Sequence, residues 1–421
     1  MKLISSFILL AFSVSFYVQA QKTEILHFTA ESGVYQRINT PVSVDLDGIT
    51  ITDTLSYQLV EKVNGKLVEK SFQIEPGYNT VLWFILDGTT AVGKAREYFI
   101  YQNQNNRFEN KITAEVNRTS IILRSGNSEI LNYQTAVHYP PAKVDTSYKR
   151  NGYLHPVITP SGNVLTRIDA PDHYHHFGIW NPWTKVKIRD HVTDFWNLGS
   201  KQGTVRFAGI NSTVNGPVYG GFSVRQEHID FLGKKPEELT MNEIWDVRAW
   251  NVDPVAGVKA WLVDLSTFLT VAGDSTIIFE AYRYAGGIGF RATAEWNKDN
   301  STVLTSEGKT RKTADGSHAR WTDLNGAFKD NGQSGITFFS HPSNRAHPEP
   351  MRVWPESQNG RGDVYFEFCP TRFTDWALDP GNIYRLKYRM LIYDGTIDKA
   401  AAERIWNDFA YPPVVKVIGK L

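Results

Sequence analysis

Apolar and polar positions alternate with a period of two along much of the chain, in short runs broken by turn residues. The first such runs are Val42–Leu46, Ser56–Val60, Thr80–Ile85 and Glu97–Tyr101, with Asn64-Gly65 and Asp87-Gly88 as turn signals. Successive side chains on a strand point to opposite faces, so this pattern predicts half-buried antiparallel strands joined by tight turns. Residues 21–105 therefore read as a small β domain without a cluster of reactive side chains. The polar run Asn103, Gln104, Asn105 and Asn106 reads as its exit linker.

The alternation lengthens beyond residue 110, as in Thr119–Arg124, Trp261–Leu269, Ser275–Glu280 and Tyr384–Tyr393. One segment, Asp398–Trp406, has the apolar spacing and alanine content of a helix. No Gly-rich phosphate loop occurs, and strands do not alternate with long helices, which excludes a doubly wound α/β fold. The expectation is an all-β chain in which residues 110–412 form a large antiparallel super-sandwich that carries the functional site.

Residues 1–20 change the setting. They hold one basic residue, an apolar run and small residues at Val18 and Ala20, the pattern of a secretory signal peptide. The run is short for a permanent span, and no later segment reaches span length. A periplasmic or secreted protein without membrane insertion is expected. Cys369 is the single cysteine, so the fold cannot rely on an internal disulfide and must rest on its core. A formal net charge of +1 argues against a nucleic-acid partner. Aromatic residues make up 13% of the chain, with 12 Trp and 19 Tyr, and suit stacking against sugar rings as well as core packing.

Candidate chemistry gathers in three places. The first is Tyr153–Pro156 with Thr166-Arg167 and the stretch DAPDHYHHFGIWNP from Asp169 to Pro182. The second is Glu280–Arg291, and the third is Phe338–Pro348, preceded by Ala319–Trp321. The segments TPSGNVLTR and DHYHHFGIW, then ARWTDLNG, FFSHPSNRAHP and LKYRMLIYDG, resemble the family known as domain of unknown function 6807, widely labelled PmoA-like. The resemblance covers most of 110–395. It implies exported proteins of carbohydrate-degrading bacteria with a galactose mutarotase-like sandwich, and it supplies no catalytic assignment. The methane oxygenase meaning of the label implies a copper membrane enzyme, which a chain without membrane helices does not fit.

From the residues themselves, His173 and His175 on an extended segment would share one face, a third ligand could come from His176 by a turn or from His155 or His341, and zinc or copper accepts imidazole. No flanking carboxylate or cysteine spacing fixes such a site. Proton transfer asks for less, because imidazole takes or gives a proton near neutral pH. Arginines such as Arg167, Arg291 and Arg320 can grip a carboxylate bidentately. The expectation is elimination from a uronate-containing oligosaccharide, without a cofactor. His155, His173, His176 and His341 are the catalytic candidates. Arg167, His175, Trp180, Glu280, Tyr282, Arg291, Asn344 and His347 are the substrate-binding candidates. The histidines, Arg167, Arg291 and Asn344 are expected to converge on one concave sheet face. Mutarotation or epimerisation, glycoside hydrolysis by a carboxylate pair, and non-catalytic glycan binding are the alternatives.

Overall fold

The computed structural model describes residues 23–420 except 50–56, 78, 103–107, 253–254, 256, 285 and 331. The expected signal segment 1–20 and the linker 103–106 lie outside the described residues.

Two sheets face each other across the main core. One has eight strands in the order Gly203–Val214, Tyr219–Asp230, Glu238–Trp250, Ala260–Val271, Tyr384–Asp394, Gly332–Ser340, Trp321–Phe328 and Ser301–Thr305. The other has nine shorter strands, including Leu154–Val157, Ile179–Trp180, Ile288–Arg291, Tyr365–Phe368 and Glu349–Val353. Every pairing in both is antiparallel, and the result is the all-β sandwich that alternation predicts. Strand Glu238–Trp250 shows why the pattern works. Met241, Trp245 and Val247 enter the core between the sheets, while Asp246 and Arg248 point away from it. Leu154, Ile179, Phe290, Phe366 and Phe368 meet them from the nine-stranded sheet. Each such side chain contributes about 1.5–3 kcal/mol by leaving water.

The N-terminal residues form two further sheets. Strands Arg37–Asp45, Val81–Thr90 and Phe72–Glu75 make one; Glu24–Glu31, Ala95–Gln102, Tyr57–Val63 and Lys66–Lys70 belong to the other. Leu26, Phe28, Val42, Leu82, Phe84 and Tyr98 fill the space between. The sequence gives no hint that the last strand, Val414–Lys420, returns to pair with Glu24–Glu31.

The outward face of the eight-stranded sheet is covered by this unit and by helix Lys399–Ala410. Asp398 caps the helix by accepting from Ala401 N–H, so it starts where the sequence suggests and runs one turn further. Ala402, Ile405 and Trp406 pack on Leu262, Phe339 and Leu391. Trp83 meets Trp250 at 5.1 Å, and Arg248 reaches both oxygens of Glu75 at 2.6 and 2.7 Å.

Candidate functional site

The outward face of the nine-stranded sheet carries a second set of aromatics. Tyr365, Arg291 and Trp180 each alternate with a core residue (Phe366, Phe290 and Ile179) and so point the other way. Tyr153, Phe177, Trp196 and Trp354 join Trp180 and Tyr365 in one cluster. On it sits the loop His173–His176.

This loop is not extended, contrary to the sequence expectation. His173 N–H donates to Ala170 O and His176 N–H to His173 O, so two turns follow one another. The turns, not a strand period, bring the imidazoles together. Gly178 lets the loop close onto the sheet. Its φ is +61°, and a Cβ there would lie 2.3 Å from Leu154 O.

One ring nitrogen from each of His173, His175 and His176 lies within 4.8 Å of the others. Asp172 Oδ2 sits 2.7 Å from His173 Nδ1. His176 is fully buried among Trp180, Trp196, Trp354 and Tyr365, and its Nε2 has no hydrogen-bond partner. Its Nδ1 is 3.3 Å from Arg291 Nη1. Trp196 Nε1 donates to His175 O at 2.9 Å and pins the loop. Burial, then the neighbouring His173 and Arg291, push the His175 imidazole down to about 3. Burial, then His175 and Arg291, hold His176 well below its ordinary value. Both rings are neutral at physiological pH and present lone pairs. Burial alone would raise the Asp172 carboxyl, but His173 and Arg291 hold it well below the usual range.

Arg291 is almost completely enclosed, bound to Asp172 at 2.8 Å and Asp363 at 3.2 Å, and it stacks over Trp354 at 4.7 Å. It orients the loop and is not free to grip a substrate, which corrects the expectation of a binding role. Trp180 is likewise corrected: without exposed surface it forms the floor under His176 and cannot stack on a sugar. Arg167 is half-buried, and its main chain bridges Arg291 O and Gly178 N, each at 3.0 Å. Arg352 and Arg361 have carboxylate partners in Asp315 and Asp363, whereas Arg167 has no side-chain hydrogen bond or ion pair among the described residues. His155 points outward between the core residues Leu154 and Val157, with Nδ1 2.9 Å from Thr166 Oγ1. Burial, then His138, lower it to about 4.

Tyr282 lies at the margin, 6.1 Å from Tyr284, which in turn packs on the aromatic cluster. Glu280 stands at the end of strand Ile277–Phe279 and makes no ion pair with Arg291. Glu243, a carboxylate available to a hydrolase in the sequence, is enclosed in the core by His228 and Trp245.

The third sequence cluster lies elsewhere, and the single-site expectation fails for it. His341 lines a cleft with Arg248, Lys387 and Arg389 on the outward face of the eight-stranded sheet, and its ring meets Phe409 at 5.1 Å. His347 stacks on Trp406 of the helix. Asn344 is buried, donating to Lys387 O and Glu349 and accepting from Lys387 N–H. Among the described residues, none of these three contacts His173–His176: His341 and His347 face the helix side of the eight-stranded sheet, and Asn344 sits at the seam between the sheets. Arg320 also belongs here, over Trp406 and beside Glu403.

Trp196, Trp354, Tyr365 and Asp363 are site residues that the sequence reading does not single out. Tyr365 was findable, because Tyr365-Phe-Glu-Phe368 alternates and places an aromatic on the face away from the core. Trp354 and Trp196 lie in the loops that follow strands Glu349–Val353 and His191–Thr193, and nothing in their spacing announces them.

A protein in the glycosyl hydrolase family 38 from Enterococcus faecalis has a similar fold, with a TM-score of 0.52 at 10% identity. The similarity covers 94% of this chain and 48% of that one, so this chain spans about half the length of its structural neighbour. A search of curated protein sequences finds no match. The profile of a family of unknown function, DUF6807, matches residues 120–407. That range takes in the histidine loop, Arg291, Trp354 and the helix that closes the other face, and the chain belongs to this family.

Proposed function

We propose that the chain is an exported carbohydrate-active enzyme that eliminates across a C–O bond of a uronate-containing oligosaccharide at the His155–Arg167–histidine-loop face. The observation that carries this reading is Arg167, a half-buried guanidinium on the face that carries the aromatic cluster, with no carboxylate partner among the described residues. A partly buried cation without a partner is costly unless a ligand supplies the anion. The signal-like residues 1–20 support export to the periplasm or beyond. The glycosyl hydrolase title of the structural neighbour is in keeping with a sugar substrate.

In this reading Arg167 binds the carboxylate, where enolate-like charge develops as the α proton leaves. Thr166 Oγ1 accepts from Val157 N–H and, in the matching tautomer, from His155 Nδ1–H. The His155 Nε2 lone pair is then the base. Its electron pair takes the α proton, the C–H pair becomes the C=C bond, and the β C–O bond breaks with its pair on oxygen, which is protonated by water. Tyr284 accepts from Trp354 Nε1 at 3.0 Å and packs on the aromatic cluster.

The test is incubation with matched uronate-containing and neutral oligosaccharides, read by absorbance of the unsaturated uronate and by product mass. The expectation is an absorbing product from the acidic set only, with Arg167→Met raising KM. Cleavage products that have each gained the mass of water, without absorbance, would replace elimination by hydrolysis.

A further inference from the structure

We infer that His173, His175 and His176 hold one divalent transition-metal ion. The three histidines belong to the face discussed above, and the inference rests on that reading only for what the ion would meet there.

Metal–imidazole bonds are about 2.0–2.1 Å long, so two ligand nitrogens on one ion stand at most about 4.2 Å apart. The three nitrogens here already lie within 4.8 Å, and a small rotation of the half-buried rings closes the set. The second observation is independent of that spacing. His176 is fully buried, yet its Nε2 finds no partner. A buried polar atom left so is destabilising, and a cation at that position takes up its lone pair. For this the ring proton must sit on Nδ1, which gives up only the long 3.3 Å contact to Arg291; the guanidinium remains anchored by Asp172 and Asp363.

His173 is prepared in the way metal-bound histidines are. Asp172 accepts from Nδ1, which fixes the tautomer and turns the Nε2 lone pair away from the carboxylate. An all-imidazole set favours zinc, copper, nickel or iron over magnesium or calcium. Three protein ligands leave a coordination position for water or substrate oxygen, the pattern of reactive rather than structural sites.

The experiment uses the full chain stripped with a chelator and then titrated with Zn²⁺ and with Co²⁺. One ion per chain is expected, with Co²⁺ giving the intense visible bands of a low-coordinate site. His175→Ala should abolish the stoichiometric site, and Asp172→Asn should weaken it about 10–100-fold. His175 and Asp172 are not fully buried, so these variants are chosen over His176→Ala; thermal unfolding in the absence of metal checks their fold. No uptake by the wild type, or equal uptake by His175→Ala, overturns the site. One bound ion without reaction on any acidic oligosaccharide supports the metal site and refutes the proposed elimination. Elimination by protein that takes up no ion does the reverse.

Discussion

On the outward face of the eight-stranded sheet, Arg248 lies between Glu75 and Asp246, Arg389 is held by Asp264, and Arg37 and Arg404 share Asp408. On the outward face of the nine-stranded sheet, Arg167 has no carboxylate and His176 Nε2 no acceptor or donor among the described residues. Both faces are rich in tryptophan and arginine, so residue content does not separate them. Completion does. The first face is largely covered by other parts of the same chain, which pair those four arginines with anions and leave a cleft beside His341 and Lys387; it behaves as a joint. The second leaves polar groups in partly dry surroundings without a protein partner, which is tolerable where a ligand completes them.

The contrast breaks most visibly through catalysis. His155→Ala should lower turnover by about 10²–10⁴-fold, the scale of one general base, with little change in thermal unfolding. A variant that turns over normally would remove the open face from the chemistry. Arg37→Met tests the joint in the opposite sense. Its side chain and Asp408 are both nearly enclosed, and removing one partner of a buried pair costs about 3–5 kcal/mol. Arg404 still reaches Asp408 at 3.2 Å, so the lower end is expected. Denaturant unfolding measures the loss, while activity per folded molecule should persist; a loss of activity without a loss of stability would contradict the assignment.

Glu349 offers a pH test at the seam between the sheets. Burial pushes its carboxyl up to about 7, against the hydrogen bonds from Ser340, Asn344 and Tyr388. Between the ordinary value of 4.5 and about 7 the folded chain keeps a proton that the unfolded chain has released. Stability from this group is therefore full below 4.5 and falls as pH rises to about 7, with a slope of at most about 1.4 kcal/mol per pH unit. Glu349→Gln should flatten that part of the stability–pH curve; an unchanged slope would mean that Glu349 is not its source. The smallest effect belongs to His341→Ala. Its ring touches Phe409 and Ser343 at the margin of the cleft, and the change should stay within about 0.5 kcal/mol with activity intact. Loss of turnover there would restore the sequence cluster His341–His347 as part of the site.

The sandwich was legible because alternation reports burial directly: Trp245 and Val247 are inward for the same reason that Asp246 and Arg248 are outward. The helix was legible from its cap and apolar spacing. The site was legible only in part. His155, Arg167 and the three clustered histidines do occupy one face, but the turns that converge His173–His176 depend on contacts with Ala170 and Gly178 that no periodicity encodes. His341, Asn344 and His347 misled because a loop that must satisfy buried backbone groups needs the same polar residues as a catalytic loop. Asn344 spends its amide on Lys387 and Glu349, which is joinery.

The pairing of Val414–Lys420 with Glu24–Glu31 bears on how the molecule is made. These partners are separated by almost the whole chain, and contacts of such long sequence separation form late. Until they form, Glu24–Glu31 has one neighbour, Ala95–Gln102, and an unsatisfied row of amides and carbonyls along its other edge. A nascent chain would carry that sticky border until residues 414–420 emerged. The last strand thus acts as a latch on assembly, and its truncation should surface first as aggregation during biogenesis.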